Sequence, residues 1–226
     1  MKILRVLAAV LFISFSSLSF SEEIKKTKDI VSGETDLYEA CPRLEDFTKE
    51  QKRVLYDSYT FGESEKMGLI LAAIAWHESC AGKYNINFSD PSAGVFHIYI
   101  PNALRFKSLK DTVYNRNIMG QMLINDFDLS KTLALNELKL WNAQHRGNIK
   151  RIIKSYNKGN SWRRDKAKDA LAERYYTEVN YKMRILKKVI SDLQKEFTHK
   201  DVFDALNEQK KSRKNAKNKI ILLEEK

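Results

Sequence analysis

The sequence predicts a mainly α-helical fold, α+β by class, with one small β element around residues 94–100. Three observations predict it. Only 3 Pro and 8 Gly occur in 226 residues, with long stretches free of both, whereas a chain of many short strands needs frequent turn residues. Apolar side chains recur at helical spacing in several separate stretches. Only Gly94 to Ile100 has the short, half-apolar look of a strand.

The first helical stretch carries Met67, Ile70, Leu71 and Ile74, three and four residues apart, so one face can be buried. Ile118, Met122 and Leu123 mark a second, and Leu133, Leu135, Leu138 and Trp141 a third. Ile149, Ile152 and Ile153 give a fourth. Met183, Leu186, Val189, Ile190 and Leu193 give the last. No internal repeat is visible.

Residues 1–21 read as an export signal: Lys2 and Arg5 open it, an apolar core runs from Ile3 to Phe15, and Ser19-Phe20-Ser21 offers a small-x-small cleavage pattern. The core is shorter than the ~20 residues of a spanning helix, so cleavage is expected over anchoring, and the protein is expected to be exported, periplasmic or secreted. Residues 22–36 are polar and aperiodic and read as a linker. Residues 37–197 are expected to form one domain, and 198–226 a basic tail that includes the run Lys210 to Lys219. The formal charge is +11, or +9 once Lys2 and Arg5 are removed with the signal. Such a charge favours anionic wall polymers or membrane surfaces. Nucleic acid is not expected, since no recognised module is present.

Cys41 and Cys80 are the only cysteines. In an oxidising compartment they are expected to bond to each other, with two buried thiols as the alternative. His77 and Cys80 could hold a metal, but without a His-Glu-x-x-His pattern no metal site and no cofactor are expected.

The run Leu71-Ala72-Ala73-Ile74-Ala75-Trp76-His77-Glu78-Ser79-Cys80 ends an apolar helix in a carboxylate. Burial and the negative end of the helix dipole both disfavour its charge, so the pKa of Glu78 is expected to rise. A carboxylic acid that keeps its proton near neutrality can give it to a glycosidic oxygen. A surface Glu at a helix end is the plain alternative.

Glu78-Ser79-Cys80-Ala81-Gly82-Lys83 leads into Asp90-Pro91-Ser92-Ala93-Gly94-Val95-Phe96-His97-Ile98. Ser155-Tyr156-Asn157-Lys158-Gly159 follows, and then Asn180-Tyr181 before an apolar helix. This succession resembles the SLT-type lytic transglycosylases and the goose-type lysozymes over about residues 60 to 190. Their motifs are Glu-Ser at a helix end, Gly-x-x-Gln, Ala-Tyr-Asn-x-Gly and a late tyrosine. This chain departs from them at His97, which stands where the family usually has Gln. Both side chains donate and accept hydrogen bonds, but His also titrates near neutral pH.

The resemblance implies a lysozyme-like helical domain and cleavage of the β-1,4 bond of peptidoglycan glycan strands, with formation of 1,6-anhydro-muramic acid ends. In that reading Glu78 is catalytic, first as acid and then as base, and the protein acts as a monomer without cofactor. Ser79 would orient the Glu or a substrate group, and Tyr181 would hydrogen-bond its carboxyl. Asn157 and His97 would contact the sugar, with Tyr156 packed beneath the cleft. Gly94 would let the backbone approach the sugar, and Phe96 would line the cleft or fill the core. A muramidase is the alternative enzyme, with Asp90 as a second carboxylate activating water; an inverting pair stands about 6.5 to 9.5 Å apart. Asp90 before Pro91 is equally what a turn wants. A wall-binding or assembly protein without activity is the third reading.

Overall fold

The computed structural model describes residues 41–197 apart from Phe88. The signal, the linker and the basic tail expected at 1–21, 22–36 and 198–226 lie outside the described residues. The chain divides into two compact units, Met1–Asp46 and Phe47–Lys226, so the domain expected over 37–197 straddles that division. In the first unit the described part carries a 3₁₀ turn over Leu44–Asp46.

The second unit is mainly helical with a small antiparallel sheet, in keeping with the expected class. Its described elements are α1 (Lys49–Glu63), α2 (Gly68–Ser79), β1 (Ile86–Asn87), β2 (Ser92–Ala93), β3 (Ile98–Tyr99), α3 (Ile100–Phe106), α4 (Val113–Asn125), α5 (Phe127–His145), α6 (Ile149–Lys158) and α7 (Lys166–Glu196). Most helices start at a polar cap that the sequence supplies. Thr48 and Gln51 form a reciprocal capping box at α1, Thr112 caps α4, Asp126 caps α5, Asn148 caps α6 and Asp165 caps α7. Each side chain satisfies a backbone N–H that the helix cannot.

α2 is buried nearly all round, with Ile70, Leu71, Ile74 and the intervening alanines sealed from solvent. It packs against α1 on one side and α7 on another. Gly62 and Gly68 permit the close approach of α1 and α2: a Cβ on Gly68 would lie 2.4 Å from the Tyr59 carbonyl oxygen. α7 is 31 residues long, about 46 Å at 1.5 Å per residue. Its buried side is a seven-residue repeat of Ala172, Val179, Leu186 and Leu193, joined by Tyr175. After it the chain folds Phe197 onto Tyr56 of α1, ring on ring at 5.9 Å.

The sheet has the order β1-β2-β3, with Ile86 opposite Ala93 and Ala93 opposite Ile98. The strand-like run expected from Gly94 to Ile100 is therefore extended only at its end. Residues 94–97 are the turn between β2 and β3, because Gly94 (φ 80) and His97 (φ 41) both adopt left-handed backbone and the His97 N–H closes onto the Gly94 carbonyl. On α4 the buried side is Met119, Gly120 and Leu123. The expected core residues Ile118 and Met122 are exposed, as is Ile149 at the start of α6. No helix among the described residues is long and apolar enough to cross a membrane.

Candidate active site

The site is built on the end of α2. The helix stops abruptly because Cys80 and Ala81 both take left-handed backbone, φ 54 and 56, and the Ala81 N–H closes back onto the Ala75 carbonyl. Two consecutive non-glycine residues in that conformation are strained, and neighbouring groups hold them there. Gln51 of α1 donates its amide to the Cys80 carbonyl at 2.8 Å. The buried Ser79 hydroxyl donates to the Val95 carbonyl at 2.6 Å and accepts from the Gly82 N–H at 2.8 Å. Glu78 is thereby fixed against both α1 and the β2–β3 turn. Neither cysteine is free: Cys41 and Cys80 are both disulfide-bonded.

The Glu78 side chain is 12% exposed. Its Oε1 accepts a hydrogen bond from the Tyr175 hydroxyl at 2.5 Å, and its Oε2 lies 3.4 Å from His97 Nδ1. His97 Nε2 donates to the Tyr84 carbonyl at 2.8 Å. A carbonyl can only accept, so that contact fixes a proton on Nε2. When His97 is protonated, its Nδ1–H faces Glu78 Oε2, so the two groups compete for that proton.

This corrects the expectation that Glu78 has a raised pKa. Burial does raise it, but the hydrogen bond and charge of His97, with smaller contributions from His77 and the Tyr175 hydroxyl, together outweigh burial, and the carboxyl lies below its ordinary value. His97 responds oppositely: burial lowers it, and the hydrogen bond and charge of Glu78, with the Tyr84 carbonyl and the Asp90 charge adding to them, more than restore it. Desolvation of Glu78 follows from the apolar run before it, whereas its partner His97 comes from a turn 19 residues on.

His77, the residue before Glu78, is buried and neutral. Burial and then the positive Lys182 bring its pKa down to about 4, and its Nδ1 accepts from Lys182 Nζ at 3.1 Å. The His77 ring meets the Tyr175 ring edge-on at 4.7 Å, so it props the hydroxyl that holds Glu78. Among the described residues no group of three His, Cys, Asp or Glu converges as a metal site.

The other expected site residues divide. Tyr156 from α6 donates to the Phe96 carbonyl at 2.9 Å, pinning the turn that carries His97. Its phenol is pushed well up by burial, with the charges of Glu137 and Glu78 adding to the effect. Asn157 follows it, half-buried at the end of α6.

Three residues, Tyr181, Ser79 and Gly94, have different roles from those expected, and Phe96 and Asp90 take the plainer of the two roles open to each. Tyr181 is 58% exposed and does not hold the carboxyl; Tyr175 does. Six residues along a helix turn a side chain through about 600°, so the two tyrosines face different ways. Ser79 is fully buried, and its hydroxyl is spent on the Val95 carbonyl and the Gly82 N–H, so it clasps backbone. Gly94 serves internal packing: a Cβ there would lie 2.5 Å from the Leu123 carbonyl oxygen. Phe96 is fully buried core, stacked on Phe127. Asp90 is exposed in the turn before β2, where its carboxylate accepts from the Ser92 hydroxyl.

Sequence reasoning missed two residues. Tyr175 sits three residues after Ala172 on the seven-residue stripe of α7, as Lys182 sits three after Val179, and that repeat was the available signal. Glu137 lies inside the apolar stripe Leu133, Ala134, Leu138 and Trp141 of α5 and is only 7% exposed. A carboxylate on a core-facing stripe is the informative kind of exception. The surface concavity lined by Ile118, Gln121, Met122, Asn125 and Asp126 shares no residue with this cluster.

Comparison with known proteins adds one relative. The chain is 33% identical over 119 residues to an uncharacterized 20.7 kDa protein in the vs-regB intergenic region of Enterobacteria phage T4. The match spans 51% of this chain and 62% of that protein, less than two thirds of its length. No family model and no solved structure matches.

Proposed function

We propose that this chain is a peptidoglycan lytic transglycosylase, cutting the β-1,4 bond between N-acetylmuramic acid and N-acetylglucosamine and leaving 1,6-anhydro-muramic acid ends. The observation that carries the reading is the Glu78 carboxyl at the end of a buried helix, one oxygen held by the Tyr175 hydroxyl and the other facing His97. The succession of motifs around Glu78, Gly94 and Tyr156, by its resemblance in sequence, supports the substrate class. Export by the segment at residues 1–21 would deliver the enzyme to the wall, and disulfide-bonded cysteines suit an oxidising compartment.

In the first step Glu78 delivers the proton for which it competes with His97 to the glycosidic oxygen as its bond to the muramic acid C1 breaks. The sugar left behind gains oxocarbenium character. The ionised carboxylate, steadied by the Tyr175 O–H, then takes the proton of the C6 hydroxyl as that oxygen bonds to C1. The proton returns to the Glu78–His97 pair, and no water is consumed. His97 serves as the proton's second seat, a role that Gln could not fill. Asp90, committed to a turn and to Ser92, lends no support to the water-activating alternative.

Glu78→Gln keeps the size of the side chain but cannot give up a proton. Turnover of purified glycan strands should fall at least about 100-fold, the low end of a general acid's contribution. Near-normal turnover by the folded variant would overturn the assignment.

A further inference from the structure

Glu137 is a buried acid with no ion pair among the described residues. The nearby Arg105 of α3 is spent on Asn102, donating from Nη2 to Oδ1. That bond fixes the Asn102 carboxamide, whose Nδ2 faces Glu137 Oε1 at 3.4 Å. Among the described residues, the one hydrogen bond of the Glu137 carboxyl is this long contact at Oε1. Trp141, one turn further along α5, approaches Glu137 with its indole N–H, yet that buried nitrogen completes no hydrogen bond among the described residues. A half-satisfied carboxyl beside an orphaned donor on a core stripe costs stability that an apolar pair would not.

Glu137 also belongs to the same electrostatic cluster as Glu78. The charged and titratable groups facing it are Arg105 from α3, Glu78 from α2 and, through its phenol, Tyr156 from α6. Burial first, and the Glu78 charge in addition, push its pKa up to about 7, so that it carries a proton over much of the range in which Glu78 is ionised.

Resting on the transglycosylase reading of the site, we propose that Glu137 is a second working carboxyl there, donating a hydrogen bond from its other oxygen to the glycan that lies over Glu78. A hydroxyl or N-acetyl group of the sugar would satisfy Glu137 and could also accept from the Trp141 N–H. Glu137 thus binds and positions substrate; the proton transfers remain with Glu78.

The test compares wild type, Glu137→Gln and Glu137→Leu on solubilised glycan strands at pH 6 and pH 8, with thermal melting as the check on folding. Glu137→Leu should raise KM at least about tenfold, the loss of one well-placed hydrogen bond, without lowering the melting temperature. Glu137→Gln, which keeps a donor that does not titrate, should hold the wild-type KM at pH 6 and keep it at pH 8, where wild-type KM rises. Unchanged KM in Glu137→Leu, or a pH dependence in Glu137→Gln equal to that of wild type, would overturn the proposal. If wild type does not cut glycan at all, the transglycosylase reading fails. Glu137 is then decided by titrating an N-acetylglucosamine tetramer into wild type and Glu137→Leu, where weaker binding by the variant supports the role and equal binding or none overturns it.

Discussion

Glu78 and His97 titrate as a pair, and each sets the other's proton affinity. In Glu78→Gln, His97 keeps its burial but loses the carboxylate that contributes most to raising it, so its pKa should fall. NMR titration of the His97 ring in the two proteins measures this directly, and an unchanged midpoint would dissolve the pair. The stability consequence has two sides. Glu78 is depressed, so its contribution is present above the unfolded value of 4.5 and is lost as pH falls through the folded value. His97 is raised, so its contribution is present below 6.5 and is lost as pH rises through its folded value. Together they stabilise most between those two limits. Glu137 acts against stability: its folded pKa of about 7 exceeds the unfolded 4.5, so the fold weakens as pH rises between them. Glu137→Gln should remove that loss, up to about 3 kcal/mol at pH 8 by the conversion of pKa shift to free energy. Denaturant unfolding of wild type and variant at pH 4 and pH 8 checks it.

Among the elements, α2 was the most legible in sequence, since an apolar run of that length admits little else and its end at Glu78 could be read from the residue types. The long helix α7 was legible as a helix but misread as a site. The eye follows the apolar cluster from Met183 to Leu193, whereas the buried stripe starts at Ala172 and carries Tyr175. Tyr175→Phe removes a hydrogen bond to a charged group, worth about 1.5–3 kcal/mol, and should cost turnover roughly ten- to a hundredfold, while Tyr181→Phe should leave it alone. Equal effects would return the role to Tyr181. The turn 94–97 could not be read from pattern alone, because its shape depends on left-handed backbone at His97 and on contacts with α4 and α6. Ser79 belongs to the same scale. Ser79→Ala leaves the buried Val95 carbonyl and Gly82 N–H without that partner, so it should destabilise by about 1–3 kcal/mol in urea unfolding. A loss of turnover with stability intact would instead place Ser79 at the substrate.

Across the molecule, the helical class and the small sheet were written in the scarcity of breakers and the spacing of apolar residues. The meeting of Glu78 with His97 and Tyr175, with Tyr156 pinning the turn and Glu137 within electrostatic reach, was not, because it joins segments up to 97 residues apart. Such contacts follow from packing, and one sequence carries no record of which faces meet. The net charge of +11 bears on partners and leaves the chemistry open. The chemistry is decided by its products. Mass spectrometry of glycan strands digested by wild type, with Glu78→Gln as control, should find muramic acid ends lighter than hydrolysis products by one water, and undigested strands in the control. Reducing ends as the main product, or equal digestion by Glu78→Gln, would contradict the account.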